Sequence, residues 1–173
     1  MTVDYTIAAI PTMYRNRQYR SRLEARWASF FDRIRWAHEY EPVDLGKWSP
    51  DFIIYYNHSR SFNGKTPRLV EVKPLLYFDA AIARKMVKAA GGGHDMLLTR
   101  ISPKMIGQDM SIGWKWEASC QKWTDALLGW GLCAAYPIIA SPNESKAIFS
   151  WPTVGSRFWS EASNAVQWQG PGK

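Results

Sequence analysis

Cysteine is scarce in this chain: Cys120 and Cys133 are the only two in 173 residues. Two thiols cannot build the disulfide scaffold of a small secreted domain, and each is expected to act as a small buried hydrophobe. No Cys-x-x-Cys pair occurs, and His38, His58 and His94 are scattered, so the zinc-ligand pattern is missing. The histidines are expected to be structural or exposed. No window approaches the ~18 apolar residues of a membrane-spanning helix. The first residues show no basic segment leading into a long apolar run, so a secretory leader is not expected. Gly91, Gly92 and Gly93 lack the Lys-Ser/Thr that follows a phosphate-binding loop. These absences favour a cytoplasmic protein without membrane contact. Acidic residues are also in deficit, 15 against 22 Lys and Arg, for a net charge of +7 and a pI of about 9.5. Such a balance suits a polyanionic partner.

What is present is a chain that is 46% hydrophobic, enough for one packed domain over residues 1–173. The basic surplus is concentrated in residues 1–90, which hold 15 Lys and Arg against 9 Asp and Glu. Residues 14–35 read as a helix, with Leu23, Trp27, Phe30, Phe31 and Ile34 at spacings of three and four. Short strands are expected at 36–40, 51–56 and 68–73, the last two joined as a hairpin through Asn63-Gly64. A second helix over 79–90 is capped by Asp79 and ended by the glycine run. A fourth strand follows at 96–99. Residues 101–173 carry seven of the ten tryptophans and read as a Trp-rich extension beside a core at 14–100. In that extension, 112–116 and 147–151 are candidate strands and 157–166 a candidate short helix. The tail at 169–173 is expected to fray.

The informative string is Pro50-Asp51, followed twenty residues later by Glu71-Val72-Lys73. Asp51 opens one strand. Glu71 and Lys73 sit two apart on the next, so their side chains share a face. Two carboxylates and an ammonium at one end of a hairpin suit Mg²⁺ or Mn²⁺ and the hydrolysis of a phosphate ester. Glu24 on the first helix borders the apolar stripe and needs a partner or a metal there. The bland alternatives are a cross-strand ion pair for Asp51, Glu71 and Lys73, and an arginine partner for Glu24. The triplet alone is not specific. Glu144-Ser145-Lys146 has the same pattern, but its surroundings read as an exposed loop.

Pro50-Asp51 and Glu71-Val72-Lys73, preceded by a helix bearing Glu24 and followed by a helix and a strand, resemble the PD-(D/E)xK nuclease superfamily. The wider string YRSRLEARWASFFDRI…EYEP…SPDF…VEVKP resembles its small phage and prophage members, over roughly residues 14–100. That resemblance implies a restriction-endonuclease-like α/β fold, a central mixed sheet flanked by helices in the core order αβββαβ. The helix and strand order read from the residues agrees with it. The resemblance also implies a Mg²⁺-dependent endonuclease acting on DNA or another nucleic acid. Asp51 and Glu71 would be metal ligands, with the Val72 carbonyl as a further one. Lys73 would be the catalytic lysine and Glu24 the supporting helix carboxylate. The setting would be a phage or mobile element, in the host cytoplasm.

Arg20, Arg22 and Arg26 on the first helix, and Arg84, Lys85 and Lys88 on the second, are candidates for phosphate contacts. The tryptophans read as core or interface filler, which admits a homo-oligomer or a protein partner. The rival function is a non-catalytic nucleic-acid- or protein-binding factor on the same fold, such as a counter-defence protein.

Overall fold

In a computed structural model, described over residues 9–57, 65–107, 109–130, 137–140, 149–150 and 152–166, the chain is a mixed α/β protein. It opens with a two-stranded hairpin, β1 (Thr12–Tyr14) and β2 (Arg17–Tyr19). The helix expected from residue 14 therefore starts later. Arg15 and Asn16 both take positive φ, 46° and 60°, which turns the chain back before a helix can begin. Helix α1 spans Arg22–Arg33. Ser21 caps it, accepting a hydrogen bond from the Glu24 amide at 3.1 Å. The Ser21-x-x-Glu24 spacing is that of a capping box, so Arg20 lies outside the helix on which the arginine row was expected.

Strands β3 (Ala37–Tyr40), β4 (Phe52–Asn57) and β5 (Lys65–Glu71) follow as two successive antiparallel pairs. The Asn63-Gly64 turn expected between β4 and β5 lies outside the described residues, as do His58, Cys133, the Glu144–Lys146 triplet and the tail. Helix α2 (Ala80–Ala89) is capped by Asp79, whose carboxylate accepts from the amides of Ala81 and Ile82. Gly91 and Gly92, both at positive φ, end it. It leads into β6 (Met96–Ile106), which pairs parallel with β5. Helix, three strands, helix and strand thus follow one another in the chain order read from the sequence.

Beyond residue 100 the chain continues the same sheet. Strands β7 (Asp109–Glu117) and β8 (Lys122–Trp130) extend it antiparallel, and β9 (Pro137–Ala140) and β10 (Phe149–Ser150) both pair with β8. Gly113, at φ 149°, sits where the β6–β7 register shifts and β7 bulges against β8; a Cβ there would meet the Leu98 carbonyl oxygen at 2.1 Å. Helix α3 (Pro152–Ala165) closes the chain and is longer than the 157–166 expected. The mixed sheet has eight strands.

The sheet is the middle of three layers. On one face α1 and α3 bury Trp27, Phe30, Phe31, Ala162 and Val166 against Phe52, Ile54, Val70 and Leu97. Trp159 of α3 lies 4.8 Å from Trp27, ring to ring. On the other face α2 and Trp48 pack on Leu69, Met96, Leu98, Trp114 and Trp116. Alternation along β5 sends Val70 to the first core and Leu69 to the second. Glu71, two residues from Leu69, therefore points to the α2 side. Cys120 is exposed, contrary to the buried hydrophobe expected; it lies in the β7–β8 turn. No helix among the described residues is long and apolar enough to cross a membrane.

Candidate active site

The β4–β5 register pairs Phe52 with Val70, so continuing it by one residue sets Asp51 opposite Glu71. Likewise Tyr40 pairs with Phe52, and the Glu41 amide donates to the Asp51 carbonyl at 2.9 Å. Three acidic residues, Glu41, Asp51 and Glu71, thus stand side by side across the ends of β3, β4 and β5. Strand β5 stops at Glu71 rather than running to Lys73, yet the Lys73 Nζ still meets Glu71 Oε1 at 2.8 Å.

Both key carboxylates are buried, Asp51 to 1% exposure and Glu71 to 7%. Asp51 Oδ2 accepts from the Val72 amide at 2.7 Å. Its Oδ1 pairs with the Arg20 guanidinium. Glu71 Oε2 accepts from the Trp48 indole Nε1 at 2.6 Å. Burial, and then the neighbouring Glu71, push the Asp51 carboxyl up to about 7, against the opposing pull of Lys73 and the Val72 amide. Burial works against the Lys73 ammonium, but Glu71 and Asp51 outweigh it and hold its pKa above the usual lysine value. Lys73 therefore keeps its charge at neutral pH.

Glu24 is buried at the first turn of α1, on the opposite side of the sheet end. Its Oε1 accepts from Ser21 Oγ at 2.9 Å and its Oε2 from the Tyr40 hydroxyl at 2.5 Å. Arg20 joins it to the site: its Nε lies 3.7 Å from Glu24 and 2.9 Å from Glu41, while its Nη2 reaches Asp51. Burial weakens the Arg20 charge, but Asp51 and Glu24 more than restore it, raising its pKa. Arg20, expected as a phosphate contact, is thus also a bridge among carboxylates at the site.

These groups floor an open cleft of about 320 Å³, lined by Arg20, Lys47, Trp48, Asp51, Glu71, Lys73 and Lys85 among others. Four cations face two carboxylates there, so the cleft favours an anionic ligand. The lining holds no histidine or cysteine. Among the described residues no group of three or more His, Cys, Asp and Glu side chains forms a ready-made metal cage. The carboxylates that line the cleft are Asp51 and Glu71.

The structure brings Asp51, Glu71, Val72 and Lys73 together, with Glu24 linked through Arg20. It does not bring Arg22 and Arg26 into the cleft. Arg26 lies over the Trp159 ring of α3 at 5.6 Å, and burial, then Arg22, lower its pKa. Lys85 lines the cleft, whereas Arg84 and Lys88 line a separate groove on α2. Sequence reasoning missed Tyr40, Lys47 and Trp48. The turn that presents Trp48 is marked by Asp44, whose Oδ1 accepts from the Gly46 amide at 2.8 Å and Ser49 Oγ at 2.9 Å. That Asp-x-Gly signal was legible; the indole's reach to Glu71 was not.

No protein-family model matches the chain, and neither does any curated protein or solved structure.

Proposed function

We propose that this protein is a metal-dependent nuclease of the PD-(D/E)xK kind, on a restriction-endonuclease-like core, hydrolysing phosphodiester bonds of DNA or another nucleic acid. One observation carries the reading: Asp51 and Glu71 face each other across two strand ends, with the Lys73 ammonium on Glu71, in a cleft with surplus positive charge. The order of helices and strands supports it, as does the resemblance of the Pro50-Asp51 and Glu71-Val72-Lys73 strings.

The donor set fits a hard divalent cation. Its carboxylate donors are buried and of like charge; burial, and then Glu71, raise the Asp51 carboxyl, and a bound cation would offset both. Asp51 and Glu71, with the Val72 carbonyl, would hold Mg²⁺ or, in its place, Mn²⁺. When bound, such an ion supplies Lewis-acid polarisation of a phosphoryl oxygen and lowers the pKa of a water.

The chain's own residues supply the rest. Lys73 holds its proton and sits beside the ligand pair, placed to orient the attacking water and to stabilise charge gathering on the phosphoryl oxygens. Water adds to phosphorus, the bond to the leaving ester oxygen breaks, and that oxygen takes up a proton. Glu24 and Tyr40 fix Arg20, which in turn orients Asp51; these are positioning residues. Lys47 and Lys85 hold the flanking phosphates.

The test is cleavage of labelled single- and double-stranded DNA in Mg²⁺ by the wild type, Asp51→Ala and Lys73→Ala, with circular dichroism as the folding control. The wild type cuts and the folded variants do not. Equal cleavage by all three rules the proposal out. Binding in EDTA, with no cleavage by the wild type in Mg²⁺ or Mn²⁺, replaces it with the non-catalytic binder.

A further inference from the structure

On the same face of the sheet as the cleft lies a second, larger hollow of about 490 Å³. Phe78, Val87, Trp116 and Trp123 line it, together with the exposed Arg84 and Lys88. Its aromatic rings are splayed. Phe78 and Trp123 lie 5.9 Å apart at 54°, and Trp116 and Trp123 5.8 Å apart at 53°. Phe78 is 41% exposed and the preceding Tyr77 79%. Single exposed apolar side chains are ordinary, but a contiguous apolar patch rimmed by polar residues marks a binding site.

Three features identify the occupant. Apart from Arg84 and Lys88, the lining is aromatic and aliphatic, which suits a ring system read by stacking. The same hollow carries two cations, so the ring comes with negative charge. Helix α2 also connects it to the cleft, since Lys85 faces the cleft while Arg84 and Lys88 face the hollow. A phosphate backbone running along α2 would pass from one to the other.

We infer that this aromatic hollow binds an unpaired nucleobase of the strand being cut, so that the substrate is single-stranded nucleic acid or a junction with an unstacked base. The inference rests on the nuclease reading for the word "cut" but not for the binding. The two places are close. Lys73 and Phe78 are five residues apart, and a chain of that length spans at most ~18 Å. At ~3.4 Å per stacked nucleotide, the held base lies within about five nucleotides of the scissile phosphate. A base paired inside a duplex cannot enter, because its faces are already stacked.

The full chain in EDTA is titrated with a short oligothymidylate, its duplex with oligoadenylate, an abasic oligonucleotide of equal length, and oligouridylate. Tryptophan emission and probe anisotropy report binding. Oligothymidylate is expected to quench emission, and Phe78→Ala or Trp123→Leu to weaken its binding about 5- to 150-fold, the range of one lost stacking contact. Duplex and abasic binding should not change in these variants. Oligouridylate binding with the same dependence on Phe78 supports the inference and adds RNA as a ligand of the hollow. Removing Arg84 and Lys88 together should flatten the salt dependence by about 1.4 in log–log slope. Phe78 is outside both core clusters, so Phe78→Ala keeps the test intact should Trp123→Leu unfold. Abasic strands bound as tightly as oligothymidylate, or a folded Phe78→Ala with unchanged affinity, overturn it. Stacking without cleavage in Mg²⁺ leaves this inference standing and removes only the nuclease reading.

Discussion

Asn in place of Asp51 should make the metal-free protein relatively more stable as pH rises, because the wild type keeps a carboxylate where its surroundings oppose the charge. In the unfolded chain an aspartate titrates near ~3.9; in the folded protein burial and Glu71 push Asp51 up to about 7. The native state therefore holds a proton that the unfolded state has already released. Stability contributed by that proton is full below pH ~4 and is lost as pH rises through about 7. A shift of this size corresponds to a ceiling of about 4 kcal/mol at 1.36 kcal/mol per pKa unit. Local relaxation brings the expected loss to roughly 2 kcal/mol or somewhat more. Asp51→Asn does not titrate, and its amide oxygen can still accept from the Val72 amide, although its pairing with Arg20 is lost. Urea unfolding in EDTA at pH 4.5 and pH 8 measures the wild-type-minus-Asn difference, which should move by about 2 kcal/mol in favour of Asn. Adding Mg²⁺ at ten times its dissociation constant at pH 8 should return about 1.4 kcal/mol to the wild type and nothing to the variant. A difference that stays flat with pH, or a variant that gains as much from Mg²⁺, refutes the reasoning.

Other outcomes follow from the same geometry. Lys73→Met keeps the stem but removes the ammonium. Cleavage should fall about 10²- to 10³-fold while Mg²⁺ binding, read by calorimetry, persists; loss of both together argues that Lys73 only holds the fold. Tyr40→Phe removes the hydroxyl that donates to Glu24 and accepts from the Arg20 amide. It should cost about 1.5–3 kcal/mol in urea unfolding, and a cost below ~0.5 kcal/mol would show that Ser21 and Arg20 satisfy Glu24 unaided. Gly113→Ala would drive a methyl into the Leu98 carbonyl at 2.1 Å. It should destabilise by at least ~3 kcal/mol, and a melting temperature within a few degrees of wild type would contradict the close approach of β6 and β7.

The parts of this structure that were legible in the sequence are those fixed by local pattern. Alternation put Leu69 and Glu71 on one face of β5 and Val70 on the other, and Asp79 announced α2. Reading Asp51 and Glu71 as neighbours needed only a hairpin of the right register. The start of α1 is ambiguous in the sequence because the arginines of residues 15–22 fit a polar helix face as well as a hairpin, and only the Ser21-x-x-Glu24 spacing marks the true cap. Strand β8 was not expected, since Lys122–Trp130 breaks its alternation at Ala126, Leu127 and Leu128, all three of them buried. The aid that Tyr40, Trp48 and Arg20 give to the acidic residues is set by tertiary approach. Arg20 reaches Asp51 across 31 positions and Trp48 reaches Glu71 across 23, separations that carry no periodic signal.

The Trp48 indole N–H donates a hydrogen bond to the carboxylate proposed to take up a cation. Its fluorescence is therefore tied to that oxygen's electrical state. Replacing the remaining tryptophans by phenylalanine, where the fold permits, would leave an intrinsic optical gauge of ligation that requires no dye, no substrate and no turnover.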